Sequence, residues 1–144
     1  YEDSESKSIF MKRQSIKRAD GSKYLERLIL IRCRLGGLFF HRIYSTDTDC
    51  LHDHPWSFRT ILIKGSYLEH YATNILDGVL YGNQWIKPWK LQYRPANWMH
   101  RLEIPEGKSV WSIVFTSPNK RTWGFLTPRG WEHWKSHPMS IKCE

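Results

Sequence analysis

The feature that most constrains the fold is a repeated alternation of short apolar runs with turn-forming residues, which continues from Tyr24 almost to the end of the chain. Such runs are typical of β-strands, and their spacing of about ten residues is typical of an all-β sandwich or barrel. No stretch has the period of an amphipathic helix of three turns. The chain is therefore predicted to be all-β, with strands over residues 24–34, 38–44, 58–64, 67–73, 85–93, 98–104, 109–116 and 121–126.

Gly65 and Ser66 stand between the third and fourth of these predicted strands. Glycine followed by a small polar residue is typical of a two-residue hairpin turn. A hairpin at this point would pair the two strands directly, with Glu69 opposite Leu62 on one face of a single sheet.

The length of 144 residues suits one domain with one hydrophobic core. The first 22 residues are polar and charged, and their apolar residues are sparse and unevenly spaced. We therefore expect a polar, partly ordered arm over residues 1–22, followed by a single β-barrel domain over residues 23–144. The eight tryptophans suit the interior of a sheet-built protein and the walls of a ligand pocket.

The formal net charge is +8, from 22 Lys and Arg against 14 Asp and Glu. This balance is compatible with nucleic acid, an anionic surface or an acidic ligand, but the basic residues are scattered. No apolar run approaches about 18 residues, so no membrane helix is expected. Because Cys33, Cys50 and Cys143 have no short spacing and no secretory signal is visible, we expect reduced thiols and a cytoplasmic protein.

Three histidines form the candidate chemical site. His52 and His54 are two residues apart, so on a strand their side chains point to the same face, while Asp53 points to the other. A metal needs ligands from at least three directions, and His100, which follows a turn and begins another strand, is the natural third. The alternative is that these histidines are ordinary polar residues on strand surfaces.

Over residues 24–126 the sequence resembles the cupin superfamily, and most closely its small uncharacterised bacterial and phage members. The His-x-His pair and Gly65 match the first cupin motif. Pro95, Asn97 and His100 match the second, with Asn97 in place of a glycine, a mild change because Asn tolerates a left-handed backbone. The resemblance implies a single-domain cupin-type double-stranded β-helix, also called a jelly-roll barrel, with a metal bound inside it.

The sequence departs from the cupin pattern at one ligand. The position of the usual acidic ligand falls on Phe58 or Arg59, so the carboxylate is absent. The resemblance therefore implies a neutral site of three histidines that holds one divalent metal, Fe, Zn, Ni or Mn, with an open face. Imidazole ligands do not choose among these metals. Either Glu69 or water could complete the metal's ligand shell.

Further residues are candidates for the pocket around the metal. Glu69 points inward if Phe58 does, where a hydrogen bond in the pocket or a surface salt bridge is favoured over direct ligation. Arg59 could hold a carboxylate or phosphate if it points inward, but alternation with Phe58 favours an outward side chain. His41 could line the pocket or be a core histidine, and Tyr71 and Trp98 could form its walls.

These features favour a metal-dependent enzyme, of the dioxygenase or isomerase type, that acts on a small molecule. A non-catalytic module that binds or senses a small ligand is the alternative, because a fold does not decide a function. A nucleic-acid-associated protein is a weaker alternative, with the basic residues of the arm on phosphates. A homodimer is expected only from the resemblance to cupins.

Overall fold

The computed structural model describes residues 9–18, 21–46, 50–73 and 76–136. Over these residues the chain forms two six-stranded antiparallel sheets. In spatial order, the first sheet contains β1 (Ile9–Lys17), β2 (Lys23–Cys33), β3 (Gly36–Ile43), β10 (Val110–Thr116), β5 (Phe58–Lys64) and β8 (Gln92–Arg94). The second contains β12 (Gly130–His133), β11 (Gly124–Thr127), β4 (Leu51–His52), β9 (Met99–Glu103), β6 (Tyr67–Thr73) and β7 (Leu80–Ile86), and a 3₁₀ turn, Trp134–Ser136, follows β12.

The main core lies between the two sheets. Ile43, Leu62 and Val110 from the first sheet pack against Tyr67 and Ile86 from the second. In β5 and β10 the buried residues alternate with more exposed ones, as expected for strands that turn one face to a core. The all-β prediction is confirmed, and two of the predicted strands, 58–64 and 67–73, coincide with β5 and β6.

The predicted hairpin at Gly65 and Ser66 is wrong. β5 pairs with β10 and β8, whereas β6 pairs with β7 and β9, so the chain crosses from one sheet to the other at this turn. The crossing allows Leu62 and Tyr67, on either side of the turn, to enter the core from opposite sheets. Gly65 has a φ of +85°, and a Cβ atom there would lie 2.6 Å from the carbonyl oxygen of Ser109.

The predicted strand over residues 85–93 is also wrong, because it is two strands. β7 ends at Ile86, and β8 begins at Gln92 on the edge of the other sheet. Between them Pro88 has no backbone N–H to donate, and Trp89 has a φ of +67°. The apolar residues in this run had favoured one continuous strand.

Part of the predicted polar, partly ordered arm, residues 9–17, is a strand in the structure. They form β1, which pairs with β2 along its length at the edge of the first sheet. The exposed Arg13 on this strand makes an ion pair with the half-buried Glu26 on β2 at 3.8 Å. This polar segment is ordered by its pairing with β2 rather than by an apolar pattern. Residues 1–8, 19 and 20 of the predicted arm lie outside the described residues.

The prediction of reduced thiols is confirmed for Cys33 and wrong for Cys50. Cys33 is a free, half-buried thiol, whereas Cys50 is buried and disulfide-bonded. Cys143 lies outside the described residues. Spacing along the sequence carries no information about which thiols meet in space, so a cytoplasmic location remains a prediction. In the described part of the chain, no helix is long and apolar enough to cross a membrane.

We expect Gly65→Ala to lower the free energy of unfolding more than Gly107→Ala does. Both glycines have a positive φ, but a Cβ at Gly107 would meet nothing within 4 Å, whereas one at Gly65 would overlap Ser109. The backbone term should cost about 1 kcal/mol in both variants. The overlap should add about 1–3 kcal/mol in Gly65→Ala alone. Urea unfolding measures both, and equal losses would contradict the tight crossover.

Candidate metal centre

Three imidazoles meet on the inner face of the second sheet. His52 on β4 lies directly opposite His100 on β9, and His54 follows two residues after His52. The ring centroids of the three side chains are 5.1 to 5.2 Å apart. One potential ligand atom from each residue lies within 4.8 Å of the others. The structure therefore brings together the three predicted residues, with nitrogen donors at a separation that one metal ion could span.

Strand alternation explains why two of these rings meet. Leu51 and Met99, the residues that precede the paired histidines of β4 and β9, point to the opposite face. There they pack with Ala72 and Leu126 in a small cluster. Burial of these apolar neighbours fixes the register of the two strands and turns the histidines toward the space between the sheets.

The third imidazole, that of His54, lies just beyond the end of β4. The backbone N–H of His54 donates to the carbonyl oxygen of Ala96 at 3.0 Å. Its ring stacks on Trp56 with the centroids 4.7 Å apart and meets the ring of Phe58 edge-on at 5.0 Å. The buried Nδ1 atom of His54 has no hydrogen-bond partner among the described residues. A buried, unpartnered nitrogen beside two other imidazoles is what a metal ligand requires.

Burial lowers the pKa of His54 well below its usual value, and the neighbouring charges of His52, His100 and Arg121 lower it further. The ring is therefore neutral at physiological pH and keeps a lone pair for a ligand bond. Three imidazoles fit a divalent transition metal, so the donor chemistry agrees with the site that the sequence predicts.

Glu69 lies directly behind this cluster, with 1% of its surface exposed. Its Oε2 atom is 2.7 Å from Nδ1 of His100. Arg94 donates to both carboxylate oxygens, at 3.1 Å from Nε and 2.5 Å from Nη2. Gln84 donates to Oε1 at 3.0 Å, and the indole of Trp98 is 3.4 Å from Oε2. The pocket hydrogen bond, one of the alternatives open from the sequence, is thus the arrangement found.

The charge of Glu69 sets the proton position on His100. Burial would raise the pKa of Glu69, but the hydrogen bonds and charges of His100 and Arg94 more than offset it and lower the pKa to about 2. An ionised carboxylate can only accept, so Nδ1 of His100 must carry the proton. The other ring nitrogen, Nε2, would then be the atom that binds a metal, an arrangement that is common behind metal-binding histidines.

Asp53 supports the other side of the His-x-His segment, a role that the sequence pattern did not reveal. Its side chain is 1% exposed and points away from the cluster, as alternation predicts. It accepts hydrogen bonds from Arg121 at 2.6 Å, from the backbone N–H of Gly124 at 2.8 Å and from the indole of Trp131 at 3.0 Å. These donors are about 70 residues further along the chain, so no local signal could have identified them.

Arg59 does not belong to the pocket. It is exposed between the buried Phe58 and Thr60, and its guanidinium lies 5.0 Å from the ring centroid of Tyr93. The outward orientation, which strand alternation favours, is therefore the one found. His70 and His133 also lie away from the cluster, His70 paired with an exposed carboxylate, while His137 falls outside the described residues.

His41 lies on the inner face of the first sheet, opposite Arg27 and Ser112. Burial lowers the pKa of His41 to about 3, with a further contribution from the charge of Arg27. Its ring centroid is 5.8 Å from that of Phe39, and its buried Nε2 has no hydrogen-bond partner within the described ranges. It is a neutral inner histidine on the sheet that faces the cluster.

Tyr71 and Trp98 form one stacked pair, with centroids 5.1 Å apart. Tyr71 is opposite His100 in the pairing of β6 with β9. Trp98 lies under the guanidinium of Arg94 at 4.9 Å. Trp98 therefore contacts the Glu69 network directly, whereas Tyr71 reaches it through Trp98. Phe125, which the sequence did not single out, pairs with His52 from β11.

Solved structures with a similar fold include enzymes and a protein known only by its domain type. A cupin-2 domain from Rhodospirillum rubrum matches with a TM-score of 0.64 at 13% identity, over 83% of this chain and 78% of that one. Fe(II)-bound HppE matches with a TM-score of 0.58 at 11% identity, over 75% of this chain and 59% of that one. Oxalate oxidase in complex with glycolate matches with a TM-score of 0.51 at 14% identity, over 63% of this chain and 46% of that one. This chain therefore spans less than half of that enzyme.

No protein-family model matches the sequence, and no curated protein matches it. The likeness to solved structures therefore rests on backbone geometry, at identities of 14% and below for these three. It establishes the fold and leaves the activity to be argued from the residues of the site.

We expect Glu69→Gln to lower the free energy of unfolding by about 3–5 kcal/mol, because it leaves the buried guanidinium of Arg94 without a counter-charge. The matched control is Glu103→Gln. Glu103 also pairs with a histidine, at 2.9 Å, but its side chain is 48% exposed. We expect the control to change stability by less than about 1 kcal/mol. Similar losses in the two variants, measured by urea unfolding, would contradict a structural role for the buried carboxylate.

Proposed function

We propose that this protein, which has the double-stranded β-helix fold of the cupins, binds one divalent metal ion through His52, His54 and His100 and acts with it on a small molecule. The observation that carries the proposal is the convergence of three imidazoles, one of which has a buried nitrogen without a hydrogen-bond partner among the described residues. A buried nitrogen without a hydrogen-bond partner is costly, and a bond to a metal would compensate that cost.

The chain's own residues prepare this site in three ways. Glu69 holds a proton on Nδ1 of His100 and orients that ring. Asp53 anchors the backbone between His52 and His54 through its bonds to later strands. Trp56 and Phe58 cover the ring of His54 and limit the access of water. A divalent metal held by these rings would supply Lewis acidity and, if it is iron, redox chemistry.

Catalysis of the dioxygenase or isomerase type is the first choice within this proposal. Two structural neighbours, an Fe(II) protein and an oxidase of a small acid, lend it support by analogy of fold. Three imidazoles suit Fe, Zn or Ni and do not exclude Mn, so the ligands do not identify the metal. The partner that we propose is a small-molecule substrate.

We expect the purified protein to contain about one equivalent of a divalent transition metal, measured by elemental analysis. His52→Ala and His100→Ala should each lose most of it, because two imidazoles bind a divalent ion much more weakly than three. His70→Ala is the control, since His70 lies away from the cluster. Unchanged metal content in both site variants, or an equal loss in the control, would refute the site.

A non-catalytic ligand-binding or sensing module is the second candidate, and one observation favours it. Glu69 is the buried carboxylate beside the cluster, and its pKa of about 2 keeps it ionised at neutral pH. It therefore has no proton to give as a general acid. A binding or sensing module would not need one.

Turnover distinguishes the two candidates. We expect the Fe(II)-loaded protein to consume O₂ in the presence of small organic acids, measured with an oxygen electrode, and His100→Ala treated identically to consume none. Ligand-induced changes in the metal's absorption spectrum without O₂ uptake or product would instead favour the binding module. Zinc- or nickel-loaded protein tested for isomerised product covers the non-redox reaction.

A further inference from the structure

The outer face of the first sheet carries a row of large side chains that crosses all six strands. Residues directly opposite each other in antiparallel strands project from the same face. Arg59 is exposed on this face, and Phe115 on β10 is its partner. Phe58 and Val114, next to them in the sequence, pack in the core on the other face. The pairing continues to both edges of the sheet, so the row contains Phe10, Ile31, Leu38, Phe115, Arg59 and Tyr93.

A second row lies beside the first on the four central strands of the sheet. Ile61 on β5 pairs with Ile113 on β10, which pairs in turn with Phe40 on β3. Phe40 is also opposite Leu28 on β2. These four side chains are apolar and half-buried. We call the two rows together the outer apolar face.

The first row is highly exposed for residues of its kind. The exposed fraction is 74% for Phe10, 51% for Tyr93, 46% for Phe115 and 41% for Ile31. An antiparallel sheet that turns one face to water usually has polar residues on that face. A contiguous exposed patch of apolar residues instead marks an interaction surface. The pattern of the first sheet is thus that of a sheet covered on both faces.

The second sheet shows how this chain covers an outer face with its own residues. Leu51, Ala72, Met99 and Leu126 point away from the three histidines, yet all four are buried, and Val79 packs against them. The aromatic residues on the outer apolar face of the first sheet have no comparable burial. A cover for that face must therefore come from outside the described part of the chain.

Charged residues on this side of the sheet already have neighbours within the sheet. Arg13, which is opposite Leu28, pairs with Glu26 at 3.8 Å. The guanidinium of Arg59 lies 5.0 Å from the ring centroid of Tyr93. A nucleic acid or an acidic partner is recognised by basic groups that reach its anions. The composition of the outer apolar face favours an apolar partner surface instead.

The size of the outer apolar face suits one half of a dimer interface. An aromatic side chain has about 150–250 Å² of surface to bury, so Phe10, Tyr93 and Phe115 together offer about 350 Å² at their exposed fractions. The other residues of the two rows add to this area. Each partner in a standard protein interface contributes about 800 Å². The face is therefore of the right order for contact with a second copy of the chain.

Contact through the face is favoured over pairing at the edges of the sheet. One edge strand, β8, has only three residues, and the other, β1, carries Lys12, Arg13 and Lys17. Short edge strands and lysine-rich ones hinder the addition of another strand. Sheets pack readily face to face, about 10 Å apart. A two-fold axis brings the same patch of two copies together, and a sheet face of apolar side chains can complement itself in this way.

We propose that this protein forms a two-fold symmetric dimer in which the outer apolar faces of two copies pack against each other. The contact buries Phe115 and Tyr93 of both copies and covers the first sheet on its second side. The inference goes beyond the proposed metal chemistry and does not rest on it, because His52 and His100 lie on the inner face of the other sheet.

Sedimentation velocity over a series of protein concentrations tests the dimer. At about 20 µM we expect a species with twice the mass of one chain, because interfaces of this size have dissociation constants of about micromolar or below. Added NaCl should strengthen the dimer or leave it unchanged, since salt screens the repulsion between two chains of net charge +8. A monomer at this concentration, or a dimer that dissociates as salt is added, would overturn the inference.

Two variants locate the interface. Phe115→Glu and Tyr93→Glu should each raise the dissociation constant of the dimer at least about a hundredfold, because each dimer would bury two unpaired carboxylates. Trp85→Glu is the matched control, since Trp85 is 57% exposed on β7 of the other sheet, and it should leave the dissociation constant unchanged.

Circular dichroism checks that each variant is folded. If Phe115→Glu on the central strand β10 does not fold, Tyr93→Glu on the edge strand β8 decides the test. An unweakened dimer in folded Tyr93→Glu, or an equal loss in Trp85→Glu, would show that the dimer uses another surface and would contradict the proposal.

Other occupants of the face would be recognised in the same samples. A chain that stays monomeric but co-sediments with phosphatidylglycerol vesicles, and loses this binding in Tyr93→Glu, would assign the face to a lipid surface. A monomer that binds no vesicles would leave the face to a different protein. Either result would refute the dimer.

Discussion

The buried carboxylate of Glu69 is the interaction on which the site and the packing of the sheets both depend. It stands on β6 in the second sheet, and its main partner, Arg94, stands on β8 at the edge of the first. The ion pair therefore joins the two sheets across the core. The same carboxylate hydrogen-bonds His100, so the group that links the sheets also orients one of the three imidazoles.

A second buried carboxylate performs the corresponding task on the other side of the His-x-His segment. Asp53 faces away from the cluster and binds Arg121, the backbone of Gly124 and the indole of Trp131. Because side chains alternate along a strand, His52 and His54 face inward, whereas Asp53 between them faces outward and binds groups on β11 and β12. Buried charges are costly, and here each is compensated by several donors.

Much of the fold followed from residues that lie close together in the sequence. The limits of β5 and β6 and the all-β class could be predicted, because alternation and turn residues are local signals. The errors arose where one signal had two structural meanings. Gly65 and Ser66 are compatible with a hairpin and with a crossing between sheets, and only the burial of Leu62 and Tyr67 from opposite sheets selects the crossing. The polar β1 was missed because its order comes from pairing with β2.

In the candidate site, too, some features follow from local sequence signals and others only from the tertiary structure. The sequence alone determined which histidines share a face, since side chains alternate along a strand, and that the usual acidic ligand of a cupin is missing at Phe58 and Arg59. Only the tertiary structure decided where a carboxylate returns: Glu69 lies behind His100, held there by Arg94 from the other sheet. It also decided that Arg59 faces outward and that Trp56 stacks on the ring of His54. These are contacts between distant segments, which depend on how two sheets pack together, and no local pattern encodes that packing.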